Sequence, residues 1–446
     1  MLASARRRLS GFGIAGLRNS GWLGHSAWGL ADQALISLTN FLTMVFLARS
    51  LAPATFGAFV VVYTGLLFAN NLQMSLITRP LNVLAAPLSR QAFKVYSAYA
   101  ATAQLLLAVC FAALALAGAA LAAMLGASSV YSLLVGLALA LFAWQMQEFV
   151  RQVWYTRGRL KEAFFCDLIS YGGQALLLGG LWAFGGLTGV GALYAIAATS
   201  ALAGLYGFKR LRLPVRGLSL AALRPSWHFG RWLVAECLGQ WLSAQLFPLL
   251  CAAIVGVASA AYFKAVQNLV APVHIVLNAF QSIAVPRAAR EYAHGGRRAM
   301  FAFLIPAGII SAVPLVAYFA VIDLFGAQLI RWLYTDHYES HAELIWLFSI
   351  FYVVLHLVQT ESAGLMAMGN TRAIVTGRVI AVALTLTLGV WLTGRYGIEG
   401  TLIGLGVTQL AMALVLAYQL TRPDATAPSL AKSDAALKLA PAGGES

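Results

Sequence analysis

Two acidic residues stand where hydrocarbon is expected. Asp32 lies inside "WGLADQALISLTNFLTMVFLAR" from Trp28, and Glu236 lies inside "WLVAECLGQWLSAQL" from Trp232; both runs are otherwise strongly apolar. A carboxylate at membrane depth is costly, so it pairs with a cation, faces a wet cavity, or binds the proton or sodium ion that drives a cycle. Asp32 and Glu236 are therefore the candidate coupling or ion-pair residues, with a carboxylate at the water interface as the plain alternative. The cations that loops do not explain form the complement. Arg49, Lys264, Arg331 and Arg395 fall towards one side of the spans, and Arg79 and Arg378 near or within spans at the other. Arg49, Arg79, Lys264 and Arg378 are the candidate lining of a substrate cavity, with the amides Asn70 and Asn268 beside them. The competing reading is that their long stems carry the charge out to the interface. Glu148 and Asp167 sit nearer basic loops and are expected to pair with Arg151 or Lys161.

Other chemistry is thin. "DHYESHAE" from Asp336 places His337 and His341 four apart, yet lacks the His-Glu-x-x-His order of a zinc site and reads as a solvated loop. No Ser/His/Asp set, phosphate-cradling loop or nucleotide motif is evident. Cys110, Cys166, Cys237 and Cys251 lie in apolar spans and read as small core residues. The reading is of a protein that is not an enzyme, with no catalytic residue, no metal and no cofactor beyond a coupling proton or sodium ion.

The elements that hold these residues follow from composition. The 446 residues are 61% hydrophobic and 10% charged, against roughly 25% charged in soluble domains. Apolar runs of about 20 residues recur along the whole chain, each long enough for a hydrocarbon core about 30 Å thick. Within lipid a segment must satisfy its own backbone, so these runs are helices. About twelve spans are expected, roughly at 24–47, 55–78, 96–125, 129–153, 163–184, 188–208, 228–252, 257–281, 300–322, 343–366, 373–393 and 399–419. The net charge of +15 tempts a nucleic-acid reading, but Lys and Arg fall in alternate loops, while "GASS" and "GGLTG" between them carry none. That is the positive-inside pattern; it puts both termini in the cytoplasm and leaves no nucleic-acid signal. The segment 1–21 reads as a retained cytoplasmic tail, 22–226 as a six-helix lobe with its basic inter-lobe loop, 227–421 as a second six-helix lobe, and 422–446 as a disordered tail.

Two halves imply a repeat. At an offset of 204, Trp28 meets Trp232, Ala31 meets Ala235, Asp32 meets Glu236 and Thr39 meets Ser243. Polar residues concentrate in the first, second and fourth spans of each half, so the first two of each half are expected to line one hydrated cavity. The third, sixth, ninth and twelfth are nearly bare and suited to lipid.

"NFLTMVFLARSLAPATFGAFVVVYTGLL" resembles the opening of bacterial polysaccharide transporters, the O-antigen-type flippases of the multidrug/oligosaccharidyl-lipid/polysaccharide exporter superfamily. The likeness rests on the Ala-Arg-x-Leu turn and on Phe56, Gly57 and Phe59. "GVASAAYFKAVQNLV" resembles the matching start of the second half, and "AMGNTR" the turn after the tenth span. The resemblance covers roughly residues 22–420. It implies an all-α membrane fold of two pseudo-symmetric six-helix lobes around a central cleft. It also implies a flippase moving a polyprenyl-pyrophosphate-linked oligosaccharide across the bacterial inner membrane by alternating access, for surface polysaccharide synthesis. Its partners would be that glycan, membrane lipid, and a polymerase with other assembly proteins. A cation-coupled multidrug antiporter is the first alternative. A membrane polymerase or ligase ranks third, because the longest outer loop is modest.

Overall fold

The computed structural model describes residues 20–422 apart from 86–87, 214–216 and 218. The expected tails therefore lie almost wholly outside the described residues, as do the side chains of Trp232, Glu236, Gln240 and Ser243.

Every regular element among the described residues is helical. In order they are α1 (Ser20–Ser50), α2 (Pro53–Gln73), α3 (Arg90–Met124), α4 (Ser128–Thr156), α5 (Leu160–Asp167), α6 (Gly173–Ala183), α7 (Gly189–Leu211) and α8 (Leu220–Ile254). There follow α9 (Val257–Leu269), α10 (Val273–Leu333), the single turn α11 (Asp336–Glu339), α12 (Leu344–Ala367), α13 (Thr371–Leu384) and α14 (Val390–Thr421). Single π-helical stretches extend α2 over Met74–Thr78 and Leu81–Ala85, join α5 to α6 over Leu168–Gly172, and join α13 to α14 over Thr385–Gly389.

Two helices are too long for one crossing. α10 has 61 residues, about 90 Å at 1.5 Å per residue, three times the hydrocarbon thickness. Its backbone leaves helical geometry at Gly295 and Gly296, where φ reaches 63° at Gly296, and α14 breaks the same way at Gly397 with φ 62°. Only glycine takes that left-handed conformation without strain. Nine of the described helices are long and apolar enough to cross a membrane, and with α10 and α14 divided at these breaks and α8 included, the described helical segments fall on the twelve expected spans. The π-helical joints add a correspondence between halves that amino-acid identities barely carry, because the fifth span of each half contains one.

The chain divides into two compact units. The first holds Met1–Leu238 with Val257–Ala265 and Leu333–Thr335; the second holds Gly239–Gly256, Val266–Trp332 and Asp336–Ser446. In the first unit α4 is the axis, packed along α3 and α7. Lipid is as apolar as leucine, so helices here associate by close fit more than by a hydrophobic drive. The α4–α7 seam shows it: a Cβ on Gly207 would lie 2.2 Å from Val150 Cγ1, and one on Gly136 would lie 3.0 Å from Leu193 Cβ. The sixth span, nearly bare of polar groups, buries one face in its unit, with half of its apolar window buried, and exposes Tyr194, Leu202 and Leu205 on the other. Ala192, Leu193 and Ala203 show why, being fully buried small or medium side chains. α3 meets the expectation for a bare span, with a mean hydropathy of 2.6 and only 22% of its window buried. In the second unit α14 packs along α12 and α13, around Met300, Leu304, Leu365, Met412 and Leu416.

Candidate functional site

The polar residues of α4 fall at Gln147, Glu148, Arg151, Gln152 and Tyr155, a spacing that puts them on one stripe of the helix. Arg151 is the hub. Its Nη1 donates to both oxygens of Glu148, at 3.0 and 2.8 Å, one turn back on the same helix. Its Nε lies 2.7 Å from Asp167 Oδ2 at the end of α5. Its Nη2 lies 3.4 Å from Asp32 Oδ2 on α1. Three carboxylates from three elements thus converge on one guanidinium, whose planar fork has donors enough for all of them. Asp32 and Asp167 are wholly buried and Glu148 nearly so.

The surroundings complete a network. Tyr155 donates its hydroxyl to Asp32 Oδ2, and the Arg151 guanidinium lies 5.1 Å from the Tyr155 ring centroid. Gln147 donates to Asp167 Oδ1 at 2.5 Å, and Gln152 donates to Glu148 Oε1 at 2.8 Å. Gln152 in turn accepts from Asn82 at 3.0 Å, and Asn82 accepts from Thr156 at 2.6 Å. The chain of bonds therefore runs from α1 through α4 to the π-helical stretch Leu81–Ala85. Asp32 Oδ1 is buried with no hydrogen-bond partner, and so are Asp167 Oδ2 and Arg151 Nε, which meet each other only as an ion pair.

Local sequence explains why Asp167 is aimed here. The helix changes to π geometry immediately after it, over Leu168–Gly172. A π-helical bulge re-aims side chains and loosens the i→i−4 ladder, and such bulges are frequent at functional sites. The Tyr171 carbonyl in that stretch accepts from Thr39 on α1 at 3.2 Å, and the Tyr171 hydroxyl accepts from Trp144 at 3.0 Å. Thr39 is thereby turned into the first unit and is 2% exposed, so it does not line the hydrated cavity its span was expected to form.

Asp32 thus lies in the interior of the first unit, tied to Arg151. Glu148 and Asp167 also go to Arg151, while Lys161 sits 5.9 Å from the Trp28 ring centroid. Glu236 has its side chain outside the described residues. Arg49 is exposed at the end of α1, four residues before α2 begins, whereas Arg79 lies 26 residues into that second span. At 1.5 Å per residue those two cations are roughly 40 Å apart along the helix, at opposite ends of a crossing. Asn70 and Lys264 are partly buried in the first unit, with Asn70 Oδ1 lacking a hydrogen-bond partner. Asn268 is buried in the second unit and Arg378 partly so, the latter packed where a Cβ on Gly239 would meet its Cγ at 3.1 Å. The residues that sequence reasoning undervalued are Arg151 and Tyr155. A visible signal was available, since Arg151 lies inside a span and follows Glu148 by three.

No protein-family model matches the chain, and no curated protein matches it. Solved structures do. An inward-facing conformation of a multidrug resistance MATE family transporter of the MOP superfamily has a TM-score of 0.71 at 15% identity, covering 91% of this chain and 96% of that one. An outward-facing conformation of such a transporter has a TM-score of 0.60 at 15% identity, over 89% and 94%. A MOP superfamily transporter from Pyrococcus furiosus, described as having a binding pocket of reversed polarity that suggests a different function, has a TM-score of 0.63 at 16% identity, over 89% and 93%. At these identities the likeness concerns the fold: this chain is an all-helical, two-lobed membrane protein with the architecture of the MOP-superfamily transporters.

Proposed function

We propose that the chain is an alternating-access exporter of a polyprenyl-pyrophosphate-linked oligosaccharide, with its cycle coupled to a proton or small cation at the Asp32–Arg151–Asp167 cluster. The observation that carries this reading is the closure of three N-lobe acids on Arg151. A transporter of cationic drugs needs a carboxylate free to meet its cargo, and these three are already engaged with an internal guanidinium. The spans instead supply Arg49, Arg79, Lys264 and Arg378, and arginine forms the paired, charge-assisted bonds that suit pyrophosphate.

The coupling reading rests on charge. Three carboxylates against one guanidinium leave two negative charges if all are ionised, and burial makes uncompensated charge expensive. Uptake of a proton or cation removes part of that excess. It also weakens the hold of Asp32 on Tyr155 and Arg151, which frees α1 from α4. Release then restores the tie, so the site favours different packings of α1 in its loaded and empty forms. A second reading, a cation-coupled multidrug antiporter, draws on the same acid excess and on the fold it shares with MATE transporters.

The test is Asp32→Asn, which keeps the shape and the Tyr155 bond, in cells deleted for their own flippase. Expected is a loss of surface-polysaccharide export at normal membrane abundance, with drug tolerance unchanged. Full export by Asp32→Asn would sink the coupling role, and restored drug tolerance without export in the wild type would favour the antiporter.

A further inference from the structure

Where α3 begins and α4 and α7 end, the first unit contains a cavity of about 520 Å³ lined by Arg90, Lys94, Arg157 and Arg159. Arg159 is matched by Glu162, with Nε and Nη2 at 2.9 and 2.5 Å from Oε1. Arg90 and Lys94 have no acid near them in sequence, and the acid nearest Arg157, Glu162 five residues on, is the one held by Arg159. The chain carries no Asp or Glu between Asp32 and Glu148, nor between Asp167 and Glu236, so α2, α3 and α7 are free of acids. Arg157 is held in place by neutral groups. Its guanidinium lies 3.8 Å from the Phe93 ring centroid and donates to the carbonyls of Leu88 and Ser89 at 3.4 and 3.2 Å.

An independent observation points the same way. Trp154 also lines the cavity, is 1% exposed, and its indole N–H has no hydrogen-bond partner. A buried donor left without an acceptor is uncommon, and here it borders a cavity rich in positive charge. Cations placed only to set topology need neither a cavity nor a stranded N–H. The apolar part of the wall, with Phe93 and Trp154, suits a ligand that is anionic at one end and greasy at the other. Basic pockets between spans at this depth suit lipid headgroups.

We propose that this cavity binds the phosphate of an anionic membrane lipid in the leaflet at the basic face, bridging Arg90 and Lys94 on α3 to Arg157 on α4. The inference is separate from the transport reading, since no residue of the Arg151 cluster takes part.

The test uses the purified full-length protein and native mass spectrometry, with phosphatidylglycerol, phosphatidylcholine and inorganic pyrophosphate as probes. Retention of phosphatidylglycerol over phosphatidylcholine is expected. Arg90→Gln with Lys94→Gln should weaken phosphatidylglycerol about thirty-fold, taking roughly 1 kcal/mol for each cation near the surface. Trp154→Phe, which keeps an aromatic wall without the N–H, should weaken it about five-fold, within the range for one hydrogen bond. The control pair Arg290→Gln with Arg298→Gln should leave it unchanged. The proposal fails if both cavity variants bind as the wild type does, or if the control loses as much. Pyrophosphate bound as tightly as the lipid would overturn the lipid assignment and leave a soluble-anion site. Unfolding of the double variant is covered by Trp154→Phe and by Lys94→Gln alone, for which a loss of about five-fold is expected.

Discussion

Replacing Arg151 by glutamine is the sharpest test of the charge cluster, because it removes one charge and strands three. The guanidinium contacts Glu148 at 2.8 Å, Asp167 at 2.7 Å and Asp32 at 3.4 Å, and both aspartates are wholly buried. Removing one member of a buried ion pair costs about 3–5 kcal/mol, mostly from the uncompensated charge left behind. With three acids sharing one cation, the upper end of that range is expected. For a unit of this size each kcal/mol moves the unfolding midpoint by about 2–4 °C, so a cost of about 5 kcal/mol should shift it roughly 10–20 °C downward.

The assay can be confined to the first unit. Cys166 is buried, adjacent to Asp167, and donates to the Ala203 carbonyl at 3.4 Å. A thiol-reactive dye in a background of Cys110→Ser, Cys237→Ser and Cys251→Ser reports exposure of that one cysteine on heating. The partner experiment is Arg151→Gln combined with Asp32→Asn, Glu148→Gln and Asp167→Asn. It removes every charge at nearly constant volume, and a buried ionic set replaced as a whole is often close to neutral. Most of the lost stability should return, without transport. An Arg151→Gln protein that unfolds at the wild-type temperature would refute the hub. A quadruple variant as unstable as the single one would show that shape and hydrogen bonding, not charge, hold α1, α4 and α5 together.

Gly57→Ala should destabilise by about 1–3 kcal/mol, since a Cβ there would lie 2.0 Å from the Val257 carbonyl oxygen and backbone must shift; Gly65→Ala in the same helix, with its nearest neighbour at 3.9 Å, should be neutral or stabilising by up to about 1 kcal/mol. Equal midpoints for the two variants would contradict the close approach. Burial holds His341 below the ordinary histidine value, with Glu343 pulling partly the other way, so the fold prefers the neutral ring. That contribution is present above about pH 6.5 and lost as pH falls through the lower folded value. Hydrogen exchange over 334–343, corrected for intrinsic rate, should therefore be faster at pH 5.5 than at 7.5, and His341→Gln should erase the difference. For orientation, a green fluorescent protein fusion at Gly217 should fluoresce and an alkaline phosphatase fusion at Ser128 should be active; the opposite pair would invert the topology.

The spans were legible because a bilayer imposes one length and one backbone solution, and 61% hydrophobic residues leave few other ways to satisfy both. The breaks at Gly296 and Gly397 were harder to read, since the chain carries 41 glycines and most tolerate helix in lipid. The cluster was half legible. Asp32, Glu148 and Asp167 stand out as intramembrane acids, but a linear sequence does not say that three acids 116 and 19 residues apart meet at one guanidinium. Arg151 was masked by its position, six residues before the basic run Arg157–Lys161, where charge counts towards topology. What separates the two roles is company: a topology charge ends in water, whereas this one ends among buried carboxylates that would be untenable without it. The same distinction bears on function. Because the only described cation at the hub belongs to α4, the proposed coupling would act by loosening Asp32 or Asp167 from Arg151, and so one tie of α1 or α5 to α4. On that proposal, protonation at one oxygen is what would be converted into a change of helix packing.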